Sequence, residues 1–125
     1  MANILIVDDS PTDVHVMTTM LEKHGYTVSS AENAEDGIEK ARSEKPDLVI
    51  MDVILPGMNG FQATRALSKD SETSGIPIII VSTKNMETDR VWGLRQGAKD
   101  YLAKPFKERE LVVKIKDLLE GSGGE

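Results

Sequence analysis

The chain has 125 residues, 39% of them apolar and 29% charged, which is typical of one globular domain with a single sizeable core. A formal net charge of −6 argues against binding to nucleic acid or to an anionic membrane through bulk electrostatics. The absence of cysteine excludes disulfides and thiolate metal sites, and no apolar run approaches the roughly 18 residues that span a bilayer. The N-terminus has no signal-peptide pattern, so we expect a cytoplasmic protein.

Short β-branched runs alternate with segments of helical apolar spacing along the chain. The predicted strands are residues 3–7, 27–31, 47–51, 76–81 and 100–103, and the predicted helices are 11–25, 34–45, 59–70, 86–97 and 108–121. Strict alternation predicts an α/β fold in which helices cover both faces of a parallel sheet. We expect one domain over residues 1–120, followed by a flexible Gly/Ser tail at 121–125.

The predicted fourth helix carries the only tryptophan of the chain. Val91 and Leu94 have the spacing of a stripe that faces the core, and Trp92 lies beside that stripe. Two interpretations of Trp92 stay open, a partly packed scaffold residue and an anchor for a partner protein.

Polar side chains collect where the predicted strands end. Asp8 and Asp9 follow the first strand and Asp52 the third, while Ser82 comes after the fourth and Lys104 after the fifth. In open α/β sheets, ligands bind beyond the carboxyl ends of the strands, where the strand order reverses. We therefore expect these side chains to form one site.

Several of these residues also have a purely structural interpretation. Ser10 and Asp13 have the spacing of a helix N-cap and its capping-box partner, and we assign both to that role. Taken alone, Asp52 could be a turn residue and Lys104 a solvated surface side chain. The hydroxyl of Ser82 could satisfy the hydrogen bonding of a backbone group.

Taken together, the residues favour phosphoryl chemistry. Three crowded carboxylates need a cation, and oxygen ligands without histidine or cysteine suit hydrated Mg²⁺. A metal, a lysine and a hydroxyl are what the non-bridging oxygens of a phosphoryl group require. One carboxylate is then free to attack phosphorus, and Asp52, at the end of the central strand, is our choice.

Four motifs carry a family resemblance: "ILIVDD", "DLVIMDVILPGMNG", "PIIIVST" and "QGAKDYLAKPF", in this order. Over residues 2–120 the sequence resembles the receiver domain of response regulators in two-component signalling. The resemblance implies a flavodoxin-like (βα)5 fold, a doubly wound parallel sheet with strand order 2-1-3-4-5. It also implies a signalling protein that catalyses only its own phosphorylation and dephosphorylation, with a histidine kinase as the phosphodonor.

The resemblance assigns site residues by matching motif. Asp52 corresponds to the phosphoacceptor, and Mg²⁺ is expected on Asp9 and Asp52 directly, on the backbone carbonyl of Ile54, and on Asp8 mainly through water. The motif "KPF" implies that Lys104 pairs with the phosphoryl group and that its bond to Pro105 is cis.

Two further positions match the family's switch. Ser82 corresponds to the hydroxyl that turns toward the phosphoryl group, and Tyr101 to the aromatic residue whose inward rotation accompanies it. The sequence departs from common patterns at Ile54, which is apolar, and at Lys84, which is cationic. These departures leave the lifetime of the phosphorylated form open.

No output domain follows the last predicted helix, so we expect output through binding of another protein. The expected partner face is built from the fourth helix, fifth strand and fifth helix, with the candidate residues Met86, Trp92, Tyr101, Phe106 and Lys107.

Longer stretches such as "NGFQATRALSKD" resemble PilH-type regulators of the chemotaxis-like system that controls type IV pili and twitching motility. That resemblance implies a CheA-like histidine kinase and a downstream target in the motility machinery.

A flagellar CheY-like regulator has the same chemistry and a different partner, so it stays an alternative. A flavodoxin-like cofactor binder would need a Ser/Thr/Gly-rich phosphate loop where this chain has "DDSPTD". A metal-dependent phosphatase would need a second acid beside Asp52.

Overall fold

The computed structural model describes residues 2–124, of which 121–124 by their backbone alone. Five parallel strands form one sheet in the order β2-β1-β3-β4-β5. The strands are β1 (Asn3–Val7), β2 (Thr27–Ala31), β3 (Leu48–Met51), β4 (Ile78–Ser82) and β5 (Asp100–Ala103). The helices are α1 (Pro11–Lys23), α2 (Ala34–Glu44), α3 (Gly60–Lys69), α4 (Glu87–Gln96) and α5 (Glu108–Gly124). The predicted fold class and strand order are confirmed.

The strands separate two apolar cores because successive side chains point to opposite faces of the sheet. Leu5 and Val7 of β1 belong to the core beneath α2 and α3. Ile4 and Ile6 of the same strand belong to the core that α1 and α5 cover. All four side chains are fully buried. Burial on both faces is why the inner strands have nearly continuous apolar sequences.

The helix starts follow from local side chains. Ser10 caps α1, because its hydroxyl accepts a hydrogen bond from the backbone N–H of Asp13, and a proline occupies the first turn. Asn59 and Gln62 form a reciprocal capping box at the start of α3. The predicted cap at Ser10 is therefore confirmed.

The predicted core stripe of α4 is wrong. Val91 and Leu94 are 41% and 48% exposed, and α4 instead packs inward through Asp89, Gly93 and Gln96. The physical reason is the close approach of the helix to the sheet at Gly93. A Cβ atom there would lie 2.8 Å from Cδ1 of Ile80, so a larger side chain at position 93 would have to displace Ile80.

The predicted domain boundary at residue 120 and the flexible tail at 121–125 stay predictions, and Glu125 lies outside the described residues. Within residues 2–124, none of the helices combines the length and the apolar character that crossing a membrane requires.

Candidate functional site

The pairing of β1 with β3 brings two aspartates together. Val7 is in register with Met51, so Asp8 and Asp52 leave adjacent strands at the same level. The backbone N–H of Asp52 donates to the carbonyl of Val7 at 2.9 Å, which continues the sheet by one residue. Asp8 is 2% exposed and Asp52 is 7% exposed. Two carboxylates are thus buried side by side at the edge of the sheet where the sequence places them.

Lys104 joins this pair from the end of β5. Its Nζ lies 2.7 Å from Oδ2 of Asp8 and 2.9 Å from Oδ2 of Asp52. A third carboxylate, that of Asp13, lies 2.7 Å from the same nitrogen. The three N–H groups of the ammonium therefore have three charged acceptors. Such pairing offsets the cost of removing the lysine from water.

The remaining oxygens of the pair accept backbone hydrogen bonds. Oδ1 of Asp8 accepts from the backbone N–H of Ser10 at 2.9 Å. Oδ1 of Asp52 accepts from the backbone N–H of Ile54 at 3.2 Å. These bonds fix the orientation of both carboxylates.

Burial and charge shift two pKa values in this cluster. Burial raises the pKa of Asp8 above its usual range, although the hydrogen bond from Lys104 acts against that rise. Burial would lower the pKa of Lys104, but the hydrogen bonds that its ammonium donates to Asp13, Asp8 and Asp52 outweigh burial and raise that pKa. The lysine is therefore a permanent cation at neutral pH.

Asp13 was not predicted as a member of the site. The sequence assigned its carboxylate to a capping box, but Asp8 already accepts the bond from the backbone N–H of Ser10. The carboxylate of Asp13 turns to Lys104 instead. The sequence held no signal for this contact, because an Asp at this position can also close a capping box, as Asp89 does with the backbone N–H of Met86 at the start of α4.

The predicted Mg²⁺ ligands are only partly brought together. Within residues 2–124, no three acidic or histidine side chains are arranged as a group that could hold a metal ion. Asp8 and Asp52 do converge on one cation, the ammonium of Lys104, while Asp9 is exposed beside them. This oxygen-only donor set suits a hard divalent ion, so the residues fit Mg²⁺.

The two predicted switch residues contact the same backbone segment. Oγ of Ser82 accepts a hydrogen bond from the backbone N–H of Lys84 at 3.1 Å. The hydroxyl of Tyr101 donates to the backbone carbonyl of Lys84. The side chain of Lys84 lies 3.3 Å from Asp89 at the start of α4. The loop between β4 and α4 therefore links both side chains to that helix.

Burial raises the pKa of Tyr101 to about 12, with a further contribution from the nearby Asp89 carboxylate. The guanidinium carbon of Arg90 lies 5.6 Å from the centre of the tyrosine ring. Tyr101 is 3% exposed, so its ring faces inward.

The expected partner face is mostly at the surface. Met86 and Trp92 are 70% and 51% exposed, and Lys107 is exposed. Phe106 is half-buried against the core beneath α1 and α5, whereas Tyr101 is buried. The Lys104–Pro105 peptide bond is cis, as the resemblance implied.

The sequence matches the model of a known protein family over most of its length. The model described as "Response regulator receiver domain" matches residues 4–116. The chain belongs to this family. The receiver domain is also 62% identical to Protein PilH of Pseudomonas aeruginosa over 121 residues, which are 97% of this chain and 100% of PilH.

Solved structures agree on the fold. The receiver domain is similar to the chemotaxis protein CheY4 of Vibrio cholerae, with a TM-score of 0.89 and 30% identity over 95% of this chain and 99% of that one. It is also similar to the receiver domain of a Pseudomonas aeruginosa sensor histidine kinase, with a TM-score of 0.87 and 32% identity over 94% and 97% of the two chains. That structure holds a magnesium ion coordinated in the active-site cleft.

Proposed function

We propose that this receiver domain takes a phosphoryl group from a phosphohistidine of a CheA-like histidine kinase and carries it on Asp52. The observation that carries the proposal is the convergence of two buried carboxylates, Asp8 and Asp52, on the ammonium of Lys104. A nucleophilic carboxylate beside a fixed positive charge is what phosphoryl transfer to an aspartate requires.

In the proposed reaction, an oxygen of Asp52 attacks phosphorus and the phosphorus–nitrogen bond of the phosphohistidine breaks. The electron pair of that bond returns to the imidazole, and an acyl phosphate forms on Asp52. Lys104, whose Nζ already lies 2.9 Å from this carboxylate, then donates to a non-bridging oxygen. The hydroxyl of Ser82 supplies a second donor once it leaves its bond with Lys84. Hydrolysis of the acyl phosphate returns Asp52 to its carboxylate form.

We further propose Mg²⁺ as the cofactor, held by Asp8, Asp9, Asp52 and the backbone carbonyl of Ile54. When bound, the ion supplies the positive charge that neutralises the non-bridging oxygens in the transition state. Asp8 and Asp52 are each bonded to Lys104, so the lysine has to loosen at least one of these bonds. The magnesium in the related sensor-kinase receiver domain supports this proposal.

The proposed output passes through Lys84. Movement of Ser82 toward the phosphoryl group breaks its bond with the backbone N–H of Lys84, and Tyr101 bonds the carbonyl of the same residue. A shift of this loop therefore changes how α4 sits on the sheet. We infer that this shift biases an existing equilibrium of the face that carries Trp92.

The biological role we propose is regulation of type IV pili and twitching motility in the cytoplasm, through binding to a motility protein. The 62% identity with PilH over the whole of that protein supports this role. Flagellar chemotaxis is the second candidate, favoured by the similarity to CheY4 at 30% identity. Binding to the partner proteins of each system separates the two.

Intact mass spectrometry after incubation with Mg²⁺ and a small-molecule phosphodonor tests the chemistry. We expect one added phosphoryl group on the wild type and at least a hundredfold less on Asp52→Asn or after chelation. The matched control is Asp117→Asn, which removes the same charge from an exposed position on α5 and should behave as the wild type. An adduct that persists on Asp52→Asn would overturn the assignment of the phosphoacceptor.

A further inference from the structure

One of the three carboxylates on Lys104 differs from the other two. The side chains of Asp8 and Asp52 are 2% and 9% exposed at the ends of strands. The side chain of Asp13 is 42% exposed and reaches the same nitrogen from the first turn of α1. Asp13 therefore pairs with Lys104 but, unlike Asp8 and Asp52, its side chain stays partly exposed to solvent.

We propose that Asp13 masks the charge of Lys104 and thereby sets the balance at this site between binding a cation and binding a phosphoryl group. It acts through Lys104 as a positioning residue and touches neither the metal nor the phosphorus. This inference rests on the proposed function, because it concerns the same site.

The charge around the site gives the direction of the effect. Asp8, Asp9 and Asp52 against Lys104 leave a net charge of minus two, and Asp13 makes it minus three. A further negative charge beside the ammonium attracts a divalent cation and repels a phosphoryl group. Because the Asp13 side chain is partly exposed, solvent screens both effects, and we expect changes of about three- to tenfold in each dissociation constant.

The ammonium also has a limited number of donors. Lys104 has three N–H groups, and all three already have carboxylate acceptors. A phosphoryl oxygen on Asp52 is a further acceptor, which competes with Asp13 for the N–H groups of the same nitrogen. Competition and repulsion act in the same direction, since both weaken the bond between Lys104 and the phosphoryl group.

A structural role for Asp13 makes a different prediction. The backbone N–H of Asp13 is bonded to the hydroxyl of Ser10, so the start of α1 does not depend on the carboxylate. If the carboxylate only held Lys104 in place, its loss would disorder the lysine and weaken cation and phosphoryl binding together. Opposite changes in the two affinities are thus the signature of charge masking.

The test compares Asp13→Asn with the wild type by isothermal titration calorimetry, first with Mg²⁺ alone and then with beryllofluoride, a phosphoryl mimic, at saturating Mg²⁺. We expect Asp13→Asn to bind Mg²⁺ about three- to tenfold more weakly and beryllofluoride about three- to tenfold more tightly. Asp13→Glu keeps the charge and should restore wild-type values. Glu22→Gln removes a charge from an exposed position of the same helix and should change neither affinity.

A second neutral variant, Asp13→Ser, keeps the test valid if Asp13→Asn folds poorly by thermal unfolding. Raising the salt concentration should shrink the difference between neutral variants and wild type, because exposed charges are screened. Equal affinities, or two affinities that change in the same direction, would overturn the inference while leaving the proposed function intact. A wild type that binds neither Mg²⁺ nor beryllofluoride would overturn the proposed function itself.

Discussion

Helices α3 and α4 have ten residues each and lie beside each other on one face of the sheet, but different forces hold them there. Helix α3 buries Phe61, Ala63 and Leu67 in the core and begins at Gly60 against the backbone of Asp52. Its amphipathic pattern agrees with its packing, so burial of apolar surface keeps it in place.

Helix α4 buries no large apolar side chain, and it contacts the loop before it and α3 through polar side chains. Asp89 accepts a hydrogen bond from the backbone N–H of Met86 and pairs with Lys84, while Oε1 of Gln96 accepts a bond from Arg65 on α3. Its large apolar side chains, including Trp92, point outward. Helix α3 therefore supports the site firmly, whereas α4 can move without exposing much buried apolar surface.

The largest effect is expected at the start of α3. A Cβ on Gly60 would lie 1.9 Å from the carbonyl oxygen of Asp52, which belongs to the backbone and therefore cannot move aside cheaply. We expect Gly60→Ala to lower the free energy of unfolding by more than about 3 kcal/mol. Chemical denaturation measures the loss.

The matched control for this prediction is Gly75→Ala. Nothing lies within 4 Å of a Cβ at residue 75, so this change should be neutral or stabilise by less than about 1 kcal/mol. Equal effects of the two substitutions would contradict the claim that close packing at Gly60 supports Asp52.

Truncation of one leucine in each helix measures how firmly α3 and α4 are packed. Leu67 on α3 is 2% exposed, so Leu67→Ala should cost about 2–4 kcal/mol of unfolding free energy through the cavity it leaves. Leu94 on α4 is 48% exposed, so Leu94→Ala should cost less than about 1 kcal/mol. Denaturant titration of both variants measures the difference. Similar losses would mean that α4 is packed as firmly as α3.

The smallest predicted effect concerns the contact between Tyr101 and α4. Burial raises the pKa of Tyr101 from its ordinary value of 10.0 to about 12, so the folded state prefers the protonated phenol. This preference contributes stability that is complete below pH 10 and is lost as the pH rises toward 12. We expect a loss of about 1–3 kcal/mol between pH 9.5 and pH 12.

Tyr101→Phe provides the comparison, because other groups also titrate in this range. The free energy of unfolding of the variant should fall less steeply than that of the wild type over the same interval. If the free energies of unfolding of the variant and the wild type fell in parallel with pH, the raised pKa of Tyr101 would not contribute to stability.

The sheet and most of the site were predictable from the sequence. The inner strands are buried on both faces and therefore have nearly continuous apolar runs, which fixes their number and order along the chain. Asp8, Asp52 and Lys104 each follow a strand, and the carboxyl ends of parallel strands share one edge. The parallel topology of the sheet is therefore enough to predict that these three side chains lie close together.

Two features were not predictable because they depend on contacts between distant segments. The inner face of α4 is decided by how closely Gly93 approaches Ile80, and the spacing of Val91 and Leu94 does not encode that distance. The carboxylate of Asp13 turns to Lys104, 91 residues away, because Asp8 has already taken the bond at Ser10. Local helix rules could not anticipate that competition.

We propose that phosphorylation of Asp52 changes the position of α4 through the movement of Ser82. The most direct measurement is the fluorescence of Trp92, the only tryptophan, with and without Mg²⁺ and beryllofluoride, in the wild type and in Ser82→Ala. We expect a change in emission for the wild type and less than half of that change for Ser82→Ala at saturating ligand. An unchanged wild-type emission under saturating ligand, or an equal change in the variant, would contradict it.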